Sequence, residues 1–303
     1  MSAPQQWTAG EPYINLHCGL AEGPYYEKQT NSLRFVDIKK KRLHTVNLAE
    51  GPSSVKTIQL DVPIGVTADI AGVNPAEKIL VGIKYGVAVL DRTTGAYEYI
   101  GKVNDADNDR LRGNDGAVDP NGRFWLGTMT DFGLGDFQAE GALTLFTGKS
   151  TPQKVLQQLT IPNGLGWSPD LKTMYFTHST ERTIYAFDYD VGTGTFTNQR
   201  KFFVHDGPGE PDGFRVDAEG NLWHAVYGES RVLKISPEGK LVGEVRLPTT
   251  NITCVQFVGT ELFITTAGLD EGKGTEEERE YGGAVFRVDV GTKGLDVWEF
   301  KLE

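Results

Sequence analysis

The feature that most restricts how this chain can fold is a repeat. Short strand-like runs begin near Leu33, Ile79, Phe124, Met174, Leu222 and Leu262, in steps of 46, 45, 50, 48 and 40 residues. Each run is followed by another that alternates apolar and aromatic residues and closes on Asp or Thr, as in Ile184-Tyr185-Ala186-Phe187-Asp188. Each is preceded by a small or polar turn leading into apolar residues. These are Glu22-Gly23-Pro24, Gly65-Val66, Asn114-Asp115-Gly116, Asn163-Gly164-Leu165, Asp212-Gly213-Phe214 and Ile252-Thr253-Cys254. Units of about 45 residues, each worth about four short strands, predict an all-β chain folded as a six-bladed β-propeller. No Pro-, Gly- or Ser-rich linker interrupts the 303 residues, so the expectation is one domain over 1–303. A β-helix would need shorter coils, and a pair of sandwiches would need a boundary.

The 37 glycines and 14 prolines fit this picture as punctuation between strands. Helical signals are scarce. The best, the acidic stretch 270–280, is broken by glycines, lacks an apolar stripe, and is expected to be a solvated loop. A net charge of −11, with no basic run longer than Lys39-Lys40-Lys41-Arg42, argues against nucleic acid as a partner. No apolar run is long enough for a membrane helix, and the N-terminus has no basic-then-apolar leader pattern. Cys18 and Cys254 do not make a disulfide framework. They fall in the first and last inner segments and are expected to be packing neighbours where the ring closes. A soluble cytoplasmic protein, monomeric or weakly homo-oligomeric, is the expectation.

In a propeller the first strand of each blade lines the central channel. Glu22, Asn114, Asp115, Asn163 and Asp212 occupy that position, and Asn114, Asn163 and Asp212 are spaced by 49 residues each. Each Asn-Gly or Asp-Gly taken alone is an ordinary turn. In register around a ring, they converge. Two carboxylates in a narrow channel repel unless a positive charge lies between them, and a divalent cation with oxygen ligands supplies it. The five histidines show no metal-ligand spacing. The Asp-rich fragment 105–109 lacks the glycine and closing glutamate of a calcium loop, and is expected to be a charged loop over the channel mouth. Arg112, two residues before Asn114 in an extended strand, shares its channel-facing direction. His178 is expected to fill a strand position near the Asn163 blade, within reach of a substrate.

Five motifs together resemble the senescence marker protein-30 (regucalcin)/gluconolactonase family over nearly the whole chain. They are Glu22-Gly23-Pro24, then Arg112-Gly113-Asn114-Asp115-Gly116 running on to Gly127-Thr128-Met129, then Ile161-Pro162-Asn163-Gly164-Leu165, Pro211-Asp212-Gly213-Phe214, and Tyr281-Gly282-Gly283-Ala284. The resemblance implies a metal-dependent lactonase that opens a sugar lactone to an aldonic acid. Glu22, Asn163 and Asp212 would hold one divalent ion (calcium, zinc, manganese or magnesium), Asp212 would also act as the base, and Arg112 and Asn114 would hold the substrate. Two departures stand out. In animal regucalcins a substrate-contacting glutamate stands three residues past the methionine that matches Met129. Phe132 fills that place here, with Asp131 one step earlier. Thr177-His178-Ser179 replaces a stretch that carries an Asp in many members. A broader esterase or phosphotriesterase on the same metal, or a non-catalytic calcium-binding propeller, are the competing readings.

Overall fold

The computed structural model describes residues 4–103 and 108–303. Residues 105–107 of the Asp-rich fragment therefore lie outside the described residues. The described residues form six small sheets, and the fold is a six-bladed β-propeller. Five sheets contain four consecutive strands in sequential order. In the sixth, Ile252–Val258, Glu261–Thr266 and Ala284–Asp289 are joined by the N-terminal strand Pro12–Asn15. The repeat read from the sequence marks the second strand of every sheet: Ser32–Asp37, Lys78–Ile83, Phe124–Thr130, Thr173–His178, Leu222–Tyr227 and Glu261–Thr266. Leu33, Ile79, Phe124, Met174, Leu222 and Leu262 are all 0% exposed. A second strand is paired on both edges and covered on both faces, so it reads as a dense apolar run rather than an alternating one.

By contact the chain divides into two compact units, residues 1–26 with 164–296 and residues 27–163 with 297–303. In the first, Trp223, Phe257, Leu262, Ile264 and Phe286 share one core cluster. Trp7 packs on it with its ring centroid 5.1 Å from that of Trp223. Two N-terminal strands are stitched onto later ones: Pro12–Asn15 runs antiparallel to Ala284–Asp289, and Gln5–Thr8 runs parallel to Leu241–Arg246. Cys18 and Cys254 are both buried. The stretch 270–280 departs from expectation, because it contains the helix Glu276–Tyr281. Thr275 and Glu278 cap each other reciprocally, and three glutamates in the first turn face the positive end of the helix dipole. No residue of this helix is buried, so no apolar stripe announces it in the sequence.

In the second unit, the sheets of residues 64–102 and 111–159 are complete four-stranded meanders. The turn after the inner strand Leu111–Val118 is built by Asp119, which is 0% exposed. Its carboxylate accepts from the backbone N–H of Asn121 and Arg123 at 2.9 Å and from the Trp125 indole at 3.0 Å. The C-terminal segment docks here too, with Phe300 donating to Asp69 O and Lys301 to Gly122 O, both at 2.8 Å. Among the described residues no helix is long and apolar enough to cross a membrane.

Candidate active site

The inner strands do not run as regular ladders where the expected site residues lie. In Leu111–Val118 the pairing slips between Gly113 and Gly116, and in Glu210–Val216 it slips between Pro211 and Phe214. Asn114, Asp115 and Asp212 therefore sit on bulges, which re-aim side chains that a flat ladder would alternate. The Asp115-Gly116 and Asp212-Gly213 pairs, which look like turns in the sequence, lie at these bulges.

In the unit of residues 27–163, five expected residues form one connected group. Arg112, 1% exposed, donates from Nη1 to Gly113 O at 2.9 Å and to Asn114 Oδ1 at 2.8 Å. Its Nη2 donates to Met129 Sδ at 3.2 Å, and its Nε lies 3.8 Å from Asp131 Oδ1. Asn114 donates from Nδ2 to Pro162 O at 2.9 Å and to Asn163 Oδ1 at 3.0 Å. This line fixes both amides. Arginine only donates, so Asn114 must offer its oxygen there and its nitrogen to Asn163, which must then offer an oxygen. Asp131 is held elsewhere: Lys84 Nζ reaches its Oδ2 at 2.9 Å, and the Phe132 N–H donates to its Oδ1 at 2.8 Å. Burial works against the Lys84 ammonium, but the hydrogen bond and charge of Asp131, with Asp109 beyond, outweigh it and raise its pKa. The Phe132 ring centroid lies 4.4 Å from the Arg112 guanidinium carbon.

In the unit of residues 164–296 with 1–26, the inner strands lie side by side. Thr253 Oγ1 donates to Ala21 O at 2.6 Å, and Arg215 Nη2 donates to Pro24 O at 3.2 Å. A Cβ on Gly164 would come 2.9 Å from Asp212 O, and one on Gly213 would come 2.4 Å from Cys254 Sγ, so glycine is what permits these approaches. Glu22 and Asp212 are buried, 6% and 8% exposed. Burial pushes the Tyr227 phenol up to about 12, and the Asp212 charge adds to it. His178 ends the strand Thr173–His178 and is 4% exposed. Its Nδ1 lies 3.1 Å from Glu181 Oε1, and its Nε2 lies 3.4 Å from Thr180 Oγ1. Burial lowers its pKa, favouring the neutral ring, in spite of the nearby Glu181 charge.

Two groups were not anticipated. Lys84 follows a second strand just as Asp131 does, 47 residues later, so the repeat itself could have exposed it. His205 and Glu229 meet at 2.8 Å, and the same carboxylate oxygen accepts from the Gly209 N–H at 2.8 Å, steadying the segment that leads into Asp212. No sequence signal joins that pair. Among the described residues no three His, Cys, Asp or Glu side chains gather as a metal-binding group. The expected set differs in kind, with two carboxylates and one amide.

The sequence model of the SMP-30/gluconolactonase/LRE-like region matches residues 20–268. Regucalcin from Sus scrofa is 34% identical over 296 residues, covering 94% of this chain and 95% of that protein. A pentonolactonase from Haloferax volcanii is 32% identical over 297 residues, covering 93% and 94%. A crystal structure described as a calcium-binding protein, regucalcin, from Agrobacterium tumefaciens superposes with a TM-score of 0.86 at 24% identity, covering 99% of each chain.

Proposed function

The chain belongs to the SMP-30/gluconolactonase/LRE-like family, and we propose that it is a divalent-metal-dependent hydrolase that opens a sugar lactone to its aldonic acid. The observation that carries this reading is the line from Arg112 through Asn114 to Asn163, which pins an amide oxygen on an inner strand. The pentonolactonase relative supports the substrate class. Glu22, Asn163 and Asp212 would hold the ion. Two buried carboxylates and an amide oxygen are hard oxygen donors that suit calcium, magnesium, manganese or zinc. When bound, the ion supplies Lewis-acid polarisation of the lactone carbonyl.

The remaining steps fall to side chains. Water adds to the carbonyl carbon, and an Asp212 carboxylate oxygen takes its proton. The ring C–O bond then breaks, and the ring oxygen leaves as a hydroxyl carrying the proton returned by Asp212. Arg112 Nη2 faces a weak thioether acceptor in Met129, a contact that a substrate oxygen can replace with gain. Asn114 Oδ1 accepts from Arg112 and has a second lone pair for a substrate hydroxyl. Asp131, tied to Lys84, acts on the substrate only through that pair, and Phe132 presents an aromatic surface in its place.

Asp212→Ala tests the assignment. Turnover of five- and six-membered sugar lactones should vanish, and affinity for the activating metal should fall at least about 100-fold. Near wild-type turnover with metal supplied would overturn it. The exposed apolar side chains Leu134 and Phe137 favour a second reading, a broader esterase, and aryl esters and a phosphotriester in the same panel separate the two. Tight calcium binding with no turnover of any compound would leave the non-catalytic reading.

A further inference from the structure

Resting on the lactonase reading, we propose that the loop of residues 131–140 is a specificity wall that selects lactones with a deoxygenated, apolar terminus. Among the described residues the large apolar side chains left exposed are Leu134, Phe137, Val191, Val204 and Leu241, and the first two share this one loop, at 41% and 40% exposure. The loop begins where Phe124–Thr130 ends, and that end pairs with the start of the strand bearing Arg112: Leu111 faces Thr130 and Arg112 faces Met129. It is tied down rather than loose. Arg110 Nη1 donates to Leu134 O at 3.0 Å, and Arg110 Nε donates to Glu140 Oε2 at 2.8 Å. Thr130 Oγ1 donates to Glu140 Oε1 at 2.6 Å and accepts from the Gln138 N–H at 3.1 Å.

Phe132 joins this apolar surface to the polar anchor. Its ring lies 4.4 Å from the Arg112 guanidinium carbon and 6.3 Å, edge-on, from the Phe137 ring. Leu134 and Phe137, carried on one tethered loop beside Phe132, offer an apolar surface that a ligand group can cover. Here the covering group must be continuous with a ligand gripped at Arg112 and Asn114. The nearby charges do not compete for it. Lys84 and Asp131 are closed on each other, Lys39 Nζ stands 5.5 Å over the Phe132 ring, and Asp136 in the loop repels an anion. A molecule with hydroxyls on its ring and a methyl or alkyl group at its end meets both surfaces. A fully hydroxylated one leaves the wall facing its terminal hydroxyl.

The test compares a hexono-1,4-lactone with its 6-deoxy counterpart, which differ by one hydroxyl. Wild type should prefer the deoxy compound by about fourfold or more in kcat/KM, the value of one buried methyl-sized group. Leu134→Asn combined with Phe137→Asn should bring the ratio close to one, chiefly by lowering kcat/KM for the deoxy compound, with the unfolding midpoint unchanged. A wild-type ratio of one or below, or a ratio that the double variant does not move, overturns the proposal. A variant that shifts only the sedimentation of the protein also overturns it, by assigning the patch to a second copy of the chain. Calorimetry with the two matching lactams separates this failure from failure of the lactonase reading. If neither lactone is hydrolysed but the deoxy lactam binds more tightly, the wall stands and the hydrolase does not. If the two lactams bind equally, the wall falls.

Discussion

Replacing Asn114 by Leu isolates the hydrogen-bond line on which the proposed metal set depends. The substitution keeps the side chain's size and branching and removes three contacts: from Arg112 Nη1 at 2.8 Å, to Pro162 O at 2.9 Å and to Asn163 Oδ1 at 3.0 Å. Each neutral hydrogen bond contributes about 1 kcal/mol and the charged one about 2 kcal/mol. Arg112 Nη1 keeps Gly113 O at 2.9 Å, and the leucine returns about 1 kcal/mol as a buried apolar group in a site 7% exposed. The net loss of stability is about 3 kcal/mol, readable by denaturant unfolding of the metal-free protein. The sharper expectation concerns Asn163. Without its donor the amide is free to turn and offer nitrogen, and loss of such a supporting contact lowers metal affinity by about 10–100-fold. Calorimetric titration with calcium, manganese and zinc measures it. If stability falls as expected while every affinity stays within about twofold, Asn163 is not a ligand or Asn114 does not orient it, and the reasoning from donor-only Arg112 fails.

Other perturbations follow from single contacts. Burial lowers the His224 pKa to about 4. The unfolded chain therefore takes up a proton near 6.5 that the folded state refuses, and stability falls as pH drops from about 6.5 to 4. His224 contributes ~3 kcal/mol to that drop, and His224→Gln should remove this share in unfolding curves recorded across the window, leaving that of His44, whose pKa burial also lowers to about 4. Gly213→Ala drives a methyl to 2.4 Å from Cys254 Sγ and 3.2 Å from its Cα, which should cost about 3 kcal/mol. Gly10→Ala, with open space around it and no left-handed backbone, is the comparison, and thermal unfolding distinguishes the two. Asp119→Ala removes an acceptor that serves two backbone N–H groups and the buried Trp125 indole, so a loss of about 3–4 kcal/mol is expected in urea. A loss below 1 kcal/mol would mean that water replaces the carboxylate.

Much of the architecture is legible in the chain because second strands are buried on both faces. Leu33, Ile79, Phe124, Met174, Leu222 and Leu262 are the places where a polar residue is least tolerated, and the period survives in the sequence for that reason. The helix Glu276–Tyr281 escapes notice for the opposite reason, since none of its residues is fully buried and only Tyr281 packs on the core cluster. Of the candidate site residues, Glu22, Asn114, Asp115, Asn163 and Asp212 are picked out by their register on the repeat. Lys84, 47 residues before Asp131 on the same repeat, is open to the same reading; the pairing of His205 with Glu229 is not, because it joins two loops whose local sequence is indifferent to the partner.

Periodicity and residue type thus establish that this chain makes six blades and that polar residues stand at the starts of its inner strands. Both follow from burial, which acts on each position separately and leaves its mark in the order of amino acids. Where those polar groups aim is a matter of tertiary contact. The bulges at Asn114 and Asp212, the oxygen-forward amide of Asn163 and the Phe132 ring over Arg112 each depend on atoms within 5 Å that lie up to 49 residues away in sequence. Hydrogen-bond direction and ring packing are properties of those pairs, and neither member carries them alone.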